Sequence, residues 1–356
     1  MVSIGKMELI QRMERGLYMH TTEALIARLT QPTEELIQDL SKVEGDIILL
    51  GVGGKMGPTL AGLAVNVIRE GGLNKRVIGI SRFSNQEARE ELEQAGVETI
   101  SCDLLDDAAL QSLPHADNII YMAGNKFGTT GREHFTWAMN SYLPGRVAEK
   151  YKDSRIVVFS SGNIYPFMPV SSGGADESVA PEPLGEYAQS TLGRERIFEY
   201  HSHKNGTPMT MFRLNYAVDM RYGVLLELAK AVNEGRAIDL ATGYANVIWQ
   251  GDANAMALRC LTHCSSPPTI MNITGPETMS IRWAAQQFAA RLGKEAIFGN
   301  EEAELALLNN ASKSHQYFGY PKVSLLQMIE WTAEWLQSGG QTWNKPTHFQ
   351  ERKGKF

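Results

Sequence analysis

The feature that most limits what this chain can fold into is a stretch of twelve residues, Asp46-Ile-Ile-Leu-Leu-Gly51-Val-Gly-Gly54-Lys55-Met56-Gly57, followed after Pro58 by TLAGLAVNVIREGG at 59–72, which reads as a helix closed by glycine. An apolar strand that runs into glycines and then into a helix makes a tight turn beneath a helix N-terminus. Glycines let the backbone approach an anion closely, and the free N–H groups of the helix's first turn point at it. In this strand–loop–helix context the spacing of Gly51, Gly54 and Gly57 predicts a dinucleotide site. Its pyrophosphate would rest on the loop, and Lys55 and Met56 would lie beside it.

Strand and helix alternate beyond this point. RVIGIS at 76–81, VETISCDL at 97–104, NIIYMAG at 118–124 and RIVVFSS at 155–161 read as strands, with a helix at 86–96 and others between. Mostly continuous apolar strands imply burial on both faces, as in a parallel sheet covered by helices. The expected fold is therefore α/β, a Rossmann-type doubly wound parallel sheet with a smaller C-terminal substrate lobe. Residues 1–45 read as a helical N-terminal extension, with Thr22 or Thr33 as caps and Glu23, Glu34 and Glu35 in first turns. The dinucleotide-binding domain spans 46–215. A mainly substrate-binding lobe follows at 216–338, with a strand returning to the sheet near 246–250. The tail 339–356 is expected to pack on the surface or against a neighbouring subunit.

Composition removes several classes of function. A net charge of −6 argues against a nucleic-acid partner, which would require a basic face. No apolar run approaches the roughly 20 residues that span a bilayer. The charged opening MVSIGKMELIQRMERG lacks the apolar core of a signal peptide. Three cysteines, Cys102, Cys260 and Cys264, form neither a disulfide framework nor a metal motif, which points to the cytoplasm. The eight histidines are scattered without metal-ligand spacing, so no metal is expected.

Chemistry concentrates at two places. Ser160-Ser161-Gly162-Asn163-Ile-Tyr165 ends a strand, and Tyr187 follows in the helical stretch GEYAQSTLGRERIFEY. These residues lie in a chain that also carries the glycine loop, Asp103-Leu104, Met122-Ala123-Gly124, Asn140, Arg213, Asn215, Val247-Ile-Trp-Gln-Gly-Asp252 and Asn272-Ile-Thr-Gly. Over roughly residues 46–338 the sequence resembles an extended short-chain dehydrogenase/reductase, of the NAD-dependent epimerase/dehydratase type. The resemblance implies that Tyr187 is the general acid/base and that Ser161 hydrogen-bonds the substrate oxygen. It further implies that Asp103, Leu104, Met122, Ala123, Gly124, Asn140, Tyr187 and Asn215 join the loop in holding the cofactor, and the residues Ser81 and Arg82 are expected to meet a 2′-phosphate. Ser161, Asn163, Tyr216 and Arg221 would meet the substrate. Hydride transfer at a carbinol carbon needs a group that moves the hydroxyl proton in step. A tyrosine does this near neutrality only beside a cation that lowers its pKa from about 10.

Departures from the family pattern are equally informative. Where the family carries a lysine four residues after the tyrosine, this chain has Thr191, which retains a hydroxyl for a ribose but brings no charge. Lys126, in Ala123-Gly-Asn-Lys126, and Arg194 are the candidate substitutes, with Lys126 preferred. Gly79-Ile-Ser81-Arg82 ends the second strand without the acidic residue typical of NAD enzymes, so the cofactor is NADP or NAD, with NADP favoured. Gly162 and Asn163 stand where 4,6-dehydratases carry an acidic pair, which disfavours elimination of water. Ala245 stands where nucleotide-sugar epimerases hold the substrate diphosphate with an arginine. Losing that charge-assisted contact forfeits roughly 1.5–3 kcal/mol, so a nucleotide-free substrate is expected. Arg221 either holds a substrate carboxylate or makes a structural salt bridge. The helices near 133–150 and 186–202 are expected to form a homodimer, because Phe135, Ala138, Met139, Tyr142, Leu143 and Val147 exceed one buried face. The leading reading is an NAD(P)-dependent oxidoreductase or epimerase for a small sugar, sugar acid or polyol. The alternative is a catalytically weak dinucleotide-binding sensor or scaffold module.

Overall fold

A computed structural model describes residues 20–355. Seven strands form one parallel sheet: β1 (Ile47–Leu50), β2 (Val77–Ser81), β3 (Glu98–Ser101), β4 (Asn118–Tyr121), β5 (Arg155–Ser161), β6 (Met209–Leu214) and β7 (Thr269–Ile273). Their order across the sheet is β7-β6-β5-β4-β1-β2-β3. All four residues of β1 and of β4 are buried, as two-sided cover demands. Strand β3 closes one edge, where Glu98 and Ser101 face solvent. Leu50 pairs with Ile80 on one side and with Tyr121 on the other. The strand order therefore reverses between β1 and β4, and a crevice opens at their carboxyl ends. In a doubly wound sheet that is where ligands bind.

Helix α1 (Gly57–Glu70) follows the glycine loop, with Pro58 in its first turn, where a missing N–H costs nothing. Its residues Leu60, Ala61, Leu63, Ala64 and Val67 recur at helical spacing and are buried against the sheet. A Cβ on Gly57 would overlap the Val52 carbonyl oxygen, so only glycine lets α1 close onto the strand before it. On the opposite face, Tyr121, Leu143, Val147, Tyr151 and Phe198 form the second core layer. Phe198 belongs to the long helix α2 (Gly185–Asn205).

The C-terminal lobe has its own core, built around helix α3 (Val224–Asn233) with Trp249, Phe288, Trp331 and Trp335. Leu25 and Leu29 of the helix Thr22–Leu29 enter that core, and Leu36 and Leu40 of the helix Glu34–Ser41 enter the sheet's core. The N-terminal extension thus fastens both bodies. Thr33 caps its helix as expected, while Thr21 rather than Thr22 caps the other, accepting from the Ala24 N–H. The first nineteen residues of the expected extension lie outside the described residues.

Two expectations need correction. The stretch near 246–250 does not return to the sheet: Ile248–Trp249 pair in parallel with Ala217–Val218 in a separate two-residue ladder. Gln250 begins a helix at once, and Trp249 is drawn into the C-terminal core, so too few residues remain to extend a strand. The sheet ends instead on β7, which pairs with β6 from Thr269 to Ile273. Nor is 133–150 one regular helix. It divides into α-helix Glu133–Trp137, a π-helical turn Ala138–Tyr142 and α-helix Leu143–Lys150. Pro144 lacks the N–H that would continue the ladder, and its ring crowds the carbonyl four residues back.

Candidate active site

A cleft of about 480 Å³ lies at the strand-order reversal, between the sheet's carboxyl ends and the C-terminal lobe. Several segments meet in it. The glycine loop brings Gly51, Gly54, Lys55 and Met56; the turn after β4 brings Met122, Gly124, Lys126 and Phe127. The end of β5 contributes Ser161 and Asn163, and α2 contributes Tyr187. From β6 onward come Asn215, Tyr216, Tyr222 and Gln250. Most of the residues expected from sequence for cofactor, catalysis and substrate therefore share one cavity.

Ser161 is 7% exposed at the end of β5. Its hydroxyl donates to Asn163 Oδ1 at 3.0 Å and accepts the Asn163 N–H at 3.1 Å, which fixes the oxygen at the cleft wall. Behind it the neighbouring Ser160 hydroxyl donates to Glu195 at 2.5 Å. Glu195 is gripped by Arg213 through two nitrogens at 2.7 and 3.0 Å, and Arg213 also donates to the Tyr165 hydroxyl at 2.6 Å. That hydroxyl donates in turn to Asn272 at 3.0 Å. This network is buried and internally satisfied. It ties β5, β6, β7 and α2 together directly beneath the candidate catalytic residues, and explains why Arg213 and Asn272 belong to the motif without touching the cleft.

Of the two cations proposed to replace the missing lysine, one reaches the site. Lys126 Nζ lies 5.4 Å from the centroid of the Tyr187 ring. Burial holds its ammonium below the usual lysine range, and the Tyr187 and Glu227 charges oppose that shift. Arg194 is committed elsewhere: it donates to the Phe159 carbonyl at 2.7 Å and to Asn140 Oδ1 at 2.8 Å. The guanidinium fills the space beneath Gly124. Asn140 also binds both the N–H and the carbonyl of Asn125, each at 2.8 Å. Arg194 and Asn140 therefore shape the turn that carries Lys126.

Lys55 stands opposite. Its ammonium lies 3.4 Å from the Tyr222 ring centroid and 4.6 Å from that of Phe127, on the cleft side of the loop. Burial, reinforced by Lys126 and Lys345, brings it down to about 7.

The remaining expected residues lie outside the cleft lining. Thr191 is 1% exposed, and its hydroxyl donates to the Tyr187 carbonyl at 2.8 Å. That is the usual back-bond of a threonine in mid-helix, and it removes the hydroxyl from a ribose. Arg221 grips Asp219 at 2.6 and 3.1 Å and stacks on Trp343, so the structural salt bridge, not a substrate carboxylate, accounts for it. The two residues are two apart in one turn, which lets the pair close locally. Ser81 sits under Gly53, Arg82 is exposed after β2, and Asp103 accepts the Leu105 N–H at 3.0 Å. Ala123 and Leu104 are buried against the sheet. None of these five lines the cavity.

The chain's own residues fit a dinucleotide. A Cβ at Gly54 would find its nearest neighbour 3.5 Å away, so the loop offers a cradle that a side chain would fill. The Asn215 amide nitrogen is buried beside the cleft without a protein partner, a position that calls for a bound acceptor. Among the described residues no group of histidine, cysteine and carboxylate side chains could hold a metal ion. Phe127, Tyr222 and Thr347 also line the cleft, and sequence reasoning missed them. Tyr222 adjoins Arg221 and was within reach of the argument, whereas Thr347 lies in the tail, where no motif marks it.

The sequence model of the NAD dependent epimerase/dehydratase family matches residues 47–274. This chain belongs to that family. The match takes in the glycine loop, Ser161, Tyr187 and β7 together, and its members are enzymes of the extended short-chain dehydrogenase/reductase type. No curated protein matches the sequence. Among solved structures, the UDP-glucose 4-epimerase of Thermotoga maritima with UDP-glucose is 16% identical, with a TM-score of 0.66 over 83% of this chain and 99% of that one. The UDP-glucuronic acid 4-epimerase of Bacillus cereus, in complex with UDP-glucuronic acid and NAD, is 18% identical, with a TM-score of 0.66 over 82% and 99%. The Thermus thermophilus UDP-glucose 4-epimerase complex with NAD is 18% identical, with a TM-score of 0.65 over the same shares. At such identities the likeness concerns the fold. No helix among the described residues is long and apolar enough to cross a membrane.

Proposed function

We propose that this protein is an NAD(P)-dependent oxidoreductase or epimerase that acts on a small, nucleotide-free hydroxylated substrate, such as a sugar, sugar acid or polyol. The observation that carries the reading is the meeting, in one cleft, of Tyr187, the Lys126 ammonium 5.4 Å from its ring, and Ser161 held by Asn163. A bound nicotinamide supplies the hydride acceptor and donor. Ser161 orients the reacting oxygen, and Tyr187 takes or returns its proton at the phenolic oxygen. Lys126 favours the phenolate by proximity of its charge.

The preference for a nucleotide-free substrate rests on Ala245. It is 1% exposed and pairs with Met279, so an apolar side chain occupies the position where the family's nucleotide-sugar epimerases present an arginine. The solved epimerases of Thermotoga maritima and Bacillus cereus carry UDP-sugars; this chain has Ala245 at the clamp position. For the dinucleotide, exposed Arg82 beside Ser81 at the end of β2 favours NADP, with NAD as the other choice. Arg82→Asp should move preference toward NAD, and a wild type that already binds NAD far more tightly would refute the assignment. We further infer a homodimer, and a cytoplasmic site of action from three unpaired cysteines.

Tyr187→Phe tests the reading. Turnover should fall by roughly two orders of magnitude, as for loss of a general acid/base, with dinucleotide affinity unchanged. Undiminished turnover in Tyr187→Phe would refute Tyr187 as the acid/base, and turnover absent from both proteins would favour a dinucleotide-binding sensor instead.

A further inference from the structure

The tail beyond the last helix (Leu325–Gln337) does not hang from the surface; it crosses the molecule. It begins on the C-terminal lobe, where the Trp343 N–H donates to the Arg221 carbonyl at 3.1 Å. Lys230 of α3 donates to Thr342 and Asn344 at 2.8 and 2.9 Å. Glu227, also on α3, accepts both the Thr347 N–H and its hydroxyl, and Thr347 lines the cleft. Phe349, 3% exposed, anchors the middle of the tail in the lobe's core. The chain then reaches the other side. The His348 ring lies 5.6 Å from Phe127, on the turn that carries Lys126, and Arg352 stacks 4.5 Å from Phe167. Finally Gly354 meets the backbone of Leu184 and Gly185, at the start of the helix that bears Tyr187. Two non-glycine residues of the tail, Asn344 and His348, hold positive φ of 49° and 54°, which requires a fixing environment.

We propose that the tail, residues 341–355, is a fixed wall of the substrate site that joins the two sides of the cleft and restricts it to a molecule the size of a monosaccharide or sugar acid. The proposal rests on the nucleotide-free reading above and names the element that enforces it. The cavity that remains, about 480 Å³, is shared between the nicotinamide end of the cofactor and the substrate. Such a volume lies in the lower half of the range for drug-sized ligands and leaves little room for a nucleoside diphosphate as well. The solved epimerases are matched over almost their whole length while about a sixth of this chain is unmatched. A wall appended to the common fold is compatible with that difference.

The test uses the full chain with saturating dinucleotide, UDP-glucose as the probe, and the variants Gly354→Val and Thr347→Val. Gly354 has φ +72°, and a side chain there would strike the Leu184 carbonyl, so valine should undock the end of the tail. Hydrogen exchange over 342–355 reports the tail, and calorimetry reports the probe. Wild type should protect the tail and exclude UDP-glucose; the variants should exchange faster and bind the probe at least roughly tenfold more tightly, since only the steric cost is removed. Three results overturn the proposal. Micromolar binding of UDP-glucose to wild type with the tail protected would defeat both the wall and the nucleotide-free reading. A loosened tail with UDP-glucose still excluded would defeat the wall alone. Unchanged exchange in both variants would show that these contacts do not hold the tail.

Discussion

Around Tyr187 one residue of the family pattern is exchanged: Thr191 stands where the family carries a lysine. We propose that the charge absent at Thr191 comes from another segment, because the turn after β4 brings Lys126 Nζ to 5.4 Å from the centroid of the tyrosine's ring. Removing a cation beside a phenol disfavours the phenolate, so Lys126→Ala should move the basic limb of the pH–rate profile upward. Arg194→Ala should leave that limb in place and lower the melting temperature instead, because it strands the Phe159 carbonyl and Asn140 at a cost of about 1–3 kcal/mol. The reverse pattern would make Arg194 the acting cation. Lys55 gives a second pH signature. Its ammonium, at about 7, loses charge as pH rises through neutrality, so an anionic ligand of the cleft should bind more weakly above that pH. Lys55→Met should flatten the dependence when affinity is followed from pH 6 to pH 8. A dependence retained in that variant would assign it to another group.

The elements of the sheet were legible because burial on both faces leaves its mark in the sequence: β1, β4 and β5 are apolar runs bounded by turns. What escaped was decided by competition between neighbours. Ile248–Trp249 has strand composition, but the helix from Gln250 and the tryptophan's place in the C-terminal core cut it short. Thr-Ile-Met-Asn-Ile at 269–273 completes the sheet although Asn272 breaks its apolar run; that amide is satisfied by Tyr165 and by the carbonyls of Ala175 and Asn310. The glycine loop lies between a strand and a helix as expected, and its glycines have different surroundings. Gly54→Leu should abolish dinucleotide binding by calorimetry with the circular dichroism spectrum unchanged. Gly57→Ala should already destabilise the fold, since α1 must retreat from Val52. Equal stability of the two variants would contradict that division.

At the scale of the whole molecule, the site is assembled from a sheet, a lobe and a tail that sequence periodicity treats separately. Thr347 could not be read as a cleft residue because it is brought there by contacts 120 residues distant in the chain. Assembly beyond one chain is argued from surface. Trp137 at 38%, Tyr142 at 59% and Tyr200 at 61% exposure lie on the two segments expected to pair, whereas Leu143 and Val147 turn inward. Tyr142→Glu combined with Tyr200→Glu should convert a dimer to a monomer by light scattering at micromolar concentration, and a monomeric wild type would refute the pairing. What this molecule does with its cleft is tested directly by one measurement. The dinucleotide-loaded protein is mixed in a single turnover with a panel of free sugars and sugar acids, alongside UDP-sugars, while the absorbance of the reduced nicotinamide is followed. We expect a transient with at least one nucleotide-free compound, lost in Tyr187→Phe and absent with every UDP-sugar; a transient with UDP-sugars alone, or one that survives in Tyr187→Phe, would contradict the proposed function.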